Sequence, residues 1–235
     1  MDHHNRESAS NGASDAADLV LRLKPSVDAT LERLAAKRFR EDPIGGRKYS
    51  RATSIISSAY KRHGTLLEEA IVSRLSECPR LQVWREPSFK LSTQSLQICR
   101  EVENTETLLK LDLPYGECER EIPLDMVVFD KEKRTLNSYN IKRGNGSYDA
   151  GKRRSIMTEL FRTHLLLTSY GNALGFDVET SSALVIFYYG LKSVPDDLCI
   201  AGDELDDHFG FPVYQAVESV NDYFKNQLHA LIEEE

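Results

Sequence analysis

Three side chains that could act on a phosphate or hold a cation fall on two neighbouring apolar stretches of this 235-residue chain. Asp125 interrupts the run EIPLDMVVFD, and Asn140 and Lys142 close the run TLNSYNIK. A carboxylate set among Leu124, Met126 and Phe129 must reach solvent or meet cations and donors, because an uncompensated charge is costly in apolar surroundings. The two runs, joined by the charged turn KEKR, read as an antiparallel hairpin. Centring the turn between Glu132 and Lys133 sets Val128 opposite Asn137, Asp125 opposite Asn140 and Pro123 opposite Lys142. Opposed residues share a sheet face, and period two keeps Asn140 with Lys142, so acid, amide and amine converge. The plain alternative is a cross-strand Asp–Lys pair at a sheet edge, worth from a few tenths to about 1 kcal/mol.

Lys142 also opens a basic run. Arg143 follows at once, a turn with Gly144 and Gly146 comes next, and Lys152, Arg153 and Arg154 mark the start of a helix, where backbone N–H groups also favour anions. Lys61 and Arg62 extend this candidate phosphate-backbone surface; its alternative is a solvated, charged helix end. The total charge of -7 excludes a uniformly basic polyanion binder, so nucleic-acid contact has to be this local patch. Upstream, Thr65 with Glu68 three residues later fits a capping box, which leaves Glu68 either a cap partner or a carboxylate for a site. Glu69 points away from the apolar stripe. His63 and His164 read as structural histidines on helix surfaces, Trp84 as core, and His3 and His4 as incidental.

The elements that must position these groups follow from periodicity. Residues 1–18 carry little to bury and are expected as a flexible tail before one domain over 19–235. Within it, 19–62 hold N-terminal helices, 63–190 the site-bearing core and 191–235 a helical addition. Helical spacing covers about 26–40, then 49–61, then a stretch opened at Thr65. After Pro79 come strand-like runs, LQVW, FKLSTQSLQICREV, TLLKLDL and the two already named. Helical spacing returns from Asp149 to a Gly171-Asn172 stop, ALVIFYY reads as a parallel strand covered on both faces, and a closing helix occupies 213–232. The expected class is α/β, a central mixed sheet in αβββαβ order flanked by helices, with extra helices at both termini. Cys78, Cys99, Cys118 and Cys199 form no CxxC pair, which argues against a thiolate metal site. No run approaches the roughly 20 apolar residues of a membrane span and no signal-peptide pattern opens the chain, so a cytoplasmic location is expected.

The series RHGTLLEEAI, IPLD, YNIKRG, a basic helix and ALVIFYY resembles the PD-(D/E)xK nuclease superfamily, which includes type II restriction endonucleases and Holliday-junction resolvases, over residues 60–190. The resemblance implies a metal-dependent DNA endonuclease, of restriction type, acting as a homodimer on duplex DNA with magnesium, or manganese, as cofactor. It carries the helix carboxylate to Glu68, the strand acid to Asp125 and the lysine to Lys142, with the Ile141 carbonyl completing the metal shell. This chain departs from the pattern twice: Leu124 stands between Pro123 and Asp125, and Asn140 stands where the family has Asp or Glu. A replacement carboxylate could come from Glu159 on the following helix, with Asp149 and Glu121 as weaker candidates. Alternatively, Asn140 serves directly as an oxygen ligand, or it silences a module that still binds DNA.

Overall fold

The computed structural model describes residues 4–102 and 104–233, with side chains from Asp15 onward. In chain order the elements are α1 (His4–Ala35), α2 (Gly46–Leu75), β1 (Leu81–Leu91), α3 (Thr93–Glu101), α4 (Thr105–Leu108), β2 (Arg120–Asp130) and β3 (Thr135–Lys142). They continue with α5 (Ala150–Ala173), β4 (Thr180–Phe187), β5 (Cys199–Ala201), α6 (Leu205–Phe209) and α7 (Tyr214–Glu233). The class is α/β with a mixed five-stranded sheet, as expected from the sequence. Where the sequence reading has one domain, the chain forms two compact units, Met1–Arg74 with Asp206–Glu235, and Leu75–Leu205.

The first unit is helical. Ala16, Leu19, Leu23, Val27, Leu31 and Leu34 recur every three or four residues and are buried, which gives α1 its inner stripe. That stripe begins well before Ser26, so α1 runs back to His4 across most of the expected tail; Met1 to His3 lie outside the described residues. Pro25 sits inside the helix. A helical proline forfeits the bond to the carbonyl four residues back and costs about 3 kcal/mol. Here that carbonyl belongs to Leu21, which is 67 % exposed, and packing of α1 against α7 offsets the loss. Asp28 and Lys24 of α1 both bond the Tyr223 hydroxyl of α7, and Arg74 donates to Asp15 at 3.0 Å and to the Pro212 carbonyl at 2.8 Å. Helix α2 is continuous through Gly64, so the expected break before Thr65 is absent. Thr65 is therefore a mid-helix residue and the capping-box reading of Glu68 falls.

The second unit holds the sheet, ordered β1-β2-β3-β4-β5. The first three strands pair antiparallel, and β3, β4 and β5 pair parallel. Of two stretches expected as strands, 92–102 is mainly the helix α3, which Ser92 starts by accepting the Ser95 N–H, and 107–113 holds the end of α4 followed by turn and irregular chain, Asn104 accepting the N–H groups of Glu106 and Thr107 at the start of that helix. Such local caps satisfy helix-start donors that alternation counting ignores. Helix α5 forms the crossover from β3 to β4 and packs on both, burying Leu165 and Tyr170 with Val127, Phe129 and Leu136, and Leu160 and Phe161 with Val185 and Phe187. It passes the expected stop at Gly171. A Cβ on Gly171 would come within 2.6 Å of both Leu136 and Val178, so this glycine serves close packing, and the positive φ of 88° falls at Gly175. The residues of β4 that alternate with Val185 and Phe187 include Ile186, also fully buried, so β4 is covered on both faces, as its apolar run implies.

Candidate active site

The β2–β3 register sets Val128 opposite Asn137, as counted from the turn. The ladder then ends at Met126 opposite Tyr139. On its other edge β2 pairs Val127 with Trp84 but Leu124 with Glu86, so Asp125 and Met126 together face Arg85 alone. This is a β-bulge, the irregularity that ends pairing and turns a side chain to a new direction. Pro123, which has no N–H to donate, follows toward the strand start. The expected ladder pairs of Asp125 with Asn140 and Pro123 with Lys142 therefore do not form. Their convergence survives by another route: the Asp125 carboxylate replaces the missing ladder acceptor and takes the Ile141 N–H at 2.8 Å. A charge-assisted bond of this kind contributes about 1.5–3 kcal/mol.

Lys142 Nζ stands 3.9 Å from the same Asp125 oxygen, with the two side chains 30 % and 22 % exposed. That separation exceeds hydrogen-bonding reach, so the ammonium is attracted to Asp125 without being fastened to it. Asp125, Asn140 and Lys142 line one cavity of about 250 Å³ with Glu121 of β2 and Glu159 and Thr163 of α5. Lys142 is the last residue of β3, and the strand's partner beyond it, β4, is parallel. The carboxyl ends of parallel strands are where open α/β sheets place their ligands. Asn140 Oδ1 is buried and has no hydrogen-bond partner among the described residues. A buried carbonyl oxygen left unpaired is a costly feature that a cation or donor would relieve.

Glu159 lies 3.9 Å from Arg120 at the same cavity. Among the described residues no three His, Cys, Asp or Glu side chains stand close enough together to hold a metal ion. The donors present are thus one carboxylate, one orphaned amide oxygen and two flanking glutamates. All are hard oxygens, a set that fits a divalent cation retaining several of its own waters better than a closed protein cage. The Ile141 carbonyl, which in extended chain points to the same strand edge as its N–H, faces the Asp125 side.

Other candidates are not among the residues that line this cavity. Asp149 caps α5 by accepting the Lys152 N–H at 2.8 Å and does not line the cavity. Glu68, Lys61 and Arg62 belong to the first unit, where the two cations are exposed and Glu68 is half-buried on α2. Glu69 accepts from Ser26 at 2.8 Å. His63 and His164, expected on helix surfaces, are buried, and their ring nitrogens bond Asn221 and the Leu109 carbonyl. Of the basic run, Arg143 leans on the Tyr189 ring at 5.5 Å, while Lys152, Arg153 and Arg154 are exposed at the start of α5. Between them Gly144 has φ +67°, and a Cβ there would meet Phe187 at 2.8 Å. Only glycine lets the chain beyond Lys142 lie this close to the end of β4.

Arg120 and Thr163 at the cavity were not singled out from the sequence. Arg120 stands just before the IPLD stretch and was within reach of that motif; Thr163 had no signal beyond its helical phase with Glu159. Lys192, on a loop after β4, lines a second cavity with Arg153 and Arg154 and likewise escaped notice. Burial pushes the Cys99 thiol up to about 11, which keeps it protonated, and all four cysteines are free. No helix of the described residues is long and apolar enough to cross a membrane. Set against family models, curated proteins and solved structures, the chain matches none of them.

Proposed function

We propose that this chain is a divalent-metal-dependent DNA endonuclease of restriction type, using magnesium or manganese and working as a homodimer on duplex DNA. The observation that carries the reading is the single cavity at which Asp125, the orphaned Asn140 oxygen and Lys142 meet. Asp125 and Asn140 are the inner oxygen donors, the Ile141 carbonyl is a further one, and Glu159 and Glu121, which line the same cavity, are the carboxylates from which the balance of charge would come. A bound divalent cation supplies Lewis acidity toward the phosphoryl group and makes water more acidic. Lys142, loosely held, orients the attacking water and offsets charge that gathers on the phosphoryl oxygens. Arg143, Lys152, Arg153, Arg154, Lys61 and Arg62 are the candidate contacts to the phosphate backbone. A twofold dimer would bring two such sites to one duplex.

Supercoiled plasmid incubated with magnesium tests this: nicking or linearisation that vanishes with a chelator and with Lys142→Ala supports the reading. A second reading is favoured by Asn140 itself, a neutral amide where the resembled family has an acid: a silent module on the same fold that binds DNA without cutting it. Salt-sensitive binding without cleavage, with cutting gained on Asn140→Asp, would select that reading.

A further inference from the structure

A different face of α5 lines a larger cavity of about 690 Å³, walled also by the α3–α4 segment and by the loop that follows β4. Its volume lies in the roughly 300–1,000 Å³ range of small-molecule sites. Val102, Leu108, Met157 and Phe161 supply apolar surface, and Thr105 and Ser193 add hydroxyls. Arg153 and Arg154 stand at its edge, exposed, and neither side chain has an ion-pair or hydrogen-bond partner among the described residues. Lys192 differs, being engaged by Glu204 at 2.9 Å and Asp196 at 3.8 Å. The Cys99 thiol in the wall, raised by burial to about 11, adds soft apolar surface. The start of α5 does not explain an anion site here, since Asp149 already accepts the Lys152 N–H.

Two unpaired guanidiniums beside an apolar floor call for a ligand with an anion at one end and a flat, apolar body at the other. Guanidinium matches phosphate with paired donors, and hydroxyls along the wall suit the ring edges of a base better than an alkyl chain. We infer that this cavity seats one nucleotide unit, its phosphate on Arg153 and Arg154 and its base against Met157 and Phe161. The unit is either a free nucleoside monophosphate or the unpaired end of a nucleic-acid strand. The inference does not require hydrolysis at Asp125.

Calorimetric titration of the full chain carrying Lys142→Ala, without added metal, tests it apart from any cleavage. The probes are thymidine 5′-monophosphate, thymidine, inorganic phosphate, and a hairpin DNA either blunt or with a three-nucleotide single-stranded tail. The monophosphate is expected to bind at least about 10-fold tighter than thymidine or phosphate, because only it fills both halves of the site. Adding Arg153→Gln with Arg154→Gln should weaken it at least about 10-fold while the unfolding temperature, insensitive to two exposed side chains, stays put. If the tail rather than the monophosphate brings this gain over blunt DNA, with the same arginine dependence, a strand end is the occupant. If the monophosphate binds and the tail adds nothing, the occupant is a free nucleotide. Phosphate binding as tightly as the monophosphate, full binding by the double variant, or no binding by either the monophosphate or the tail would each overturn the inference.

Discussion

Helix α5 lines two cavities whose walls differ in kind. Toward β2 and β3, Glu159 and Thr163 meet Asp125, Asn140 and Lys142 around about 250 Å³; elsewhere along the helix, Arg153, Arg154, Met157 and Phe161 line about 690 Å³. The first is made by strand irregularity: a bulge frees Asp125 from the ladder and returns its carboxylate to the Ile141 N–H. The second is made by loops and short helices around a helix face. Close-packed strands can hold a few atoms to fixed distances, as bond chemistry needs, whereas loop walls offer room and charge, as ligand seating needs. One helix serving both makes their responses to mutation separable in principle and linked through the helix itself.

The largest separation is expected from Lys142→Ala, which should lower DNA cleavage by about 10²–10⁴-fold, the range for a positioned proton-transfer or water-orienting group, while leaving monophosphate binding unchanged. Equal loss of both in parallel assays would erase the distinction between the cavities. Asn140→Asp sharpens the first cavity alone. It sets a second carboxylate near Asp125, and cleavage should rise by about 10-fold or more with magnesium, since carboxylates attract a divalent cation more strongly than an amide does. Without metal, repulsion between the two carboxylates should lower stability by about 1 kcal/mol, and magnesium should restore it in a thermal melt.

The shared wall gives a smaller and common effect. Tyr170 of α5 donates to Glu86 at 2.6 Å and accepts from Trp84 at 3.1 Å, with Phe89 and Tyr115 edge-on to its ring. Tyr170→Phe should destabilise the second unit by about 1–2 kcal/mol. Trp84, the only tryptophan, reports the loss by fluorescence in urea. Burial first, and then the bond to Glu86, hold the Tyr170 hydroxyl above its ordinary range. The sign follows: above the unfolded tyrosine value of about 10, the unfolded chain releases this proton while the folded chain keeps it, so stability falls as pH rises. Below about pH 10 the group contributes no pH dependence, and in Tyr170→Phe the alkaline decline should be shallower. Smallest is Lys152→Ala, which should leave both cavities intact and reduce the slope of log affinity against log salt for duplex DNA by about one.

Much of the frame could be read in advance because it rests on period and turn chemistry. The charged turn after Asp130 fixed the start of the hairpin register, and the unbroken run of β4 announced a strand covered on both faces. The convergence of Asp125 with Lys142 was also legible, although its cause was not. A bulge depends on how β1 pairs with β2, a long-range relation that no local pattern encodes. The helices α3 and α4 were hidden for a related reason, since serine and asparagine caps outweighed a strand-like alternation. The assignment of Glu68 to a helix start failed at Gly64, a residue weak in helices but tolerated when the flanking turns pack well. Two compact units were invisible because α1 meets α7 across nearly the whole chain.

Manganese titrated into the ¹⁵N-labelled protein would probe the acid, the amide and the amine together, because a paramagnetic ion erases the signals of nuclei beside it. The Ile141 backbone amide and the Asn140 side-chain amide are expected to fade first, and both to persist in Asp125→Ala at the same manganese concentration. First loss of signal elsewhere in the chain, or unchanged fading in Asp125→Ala, would contradict this expectation.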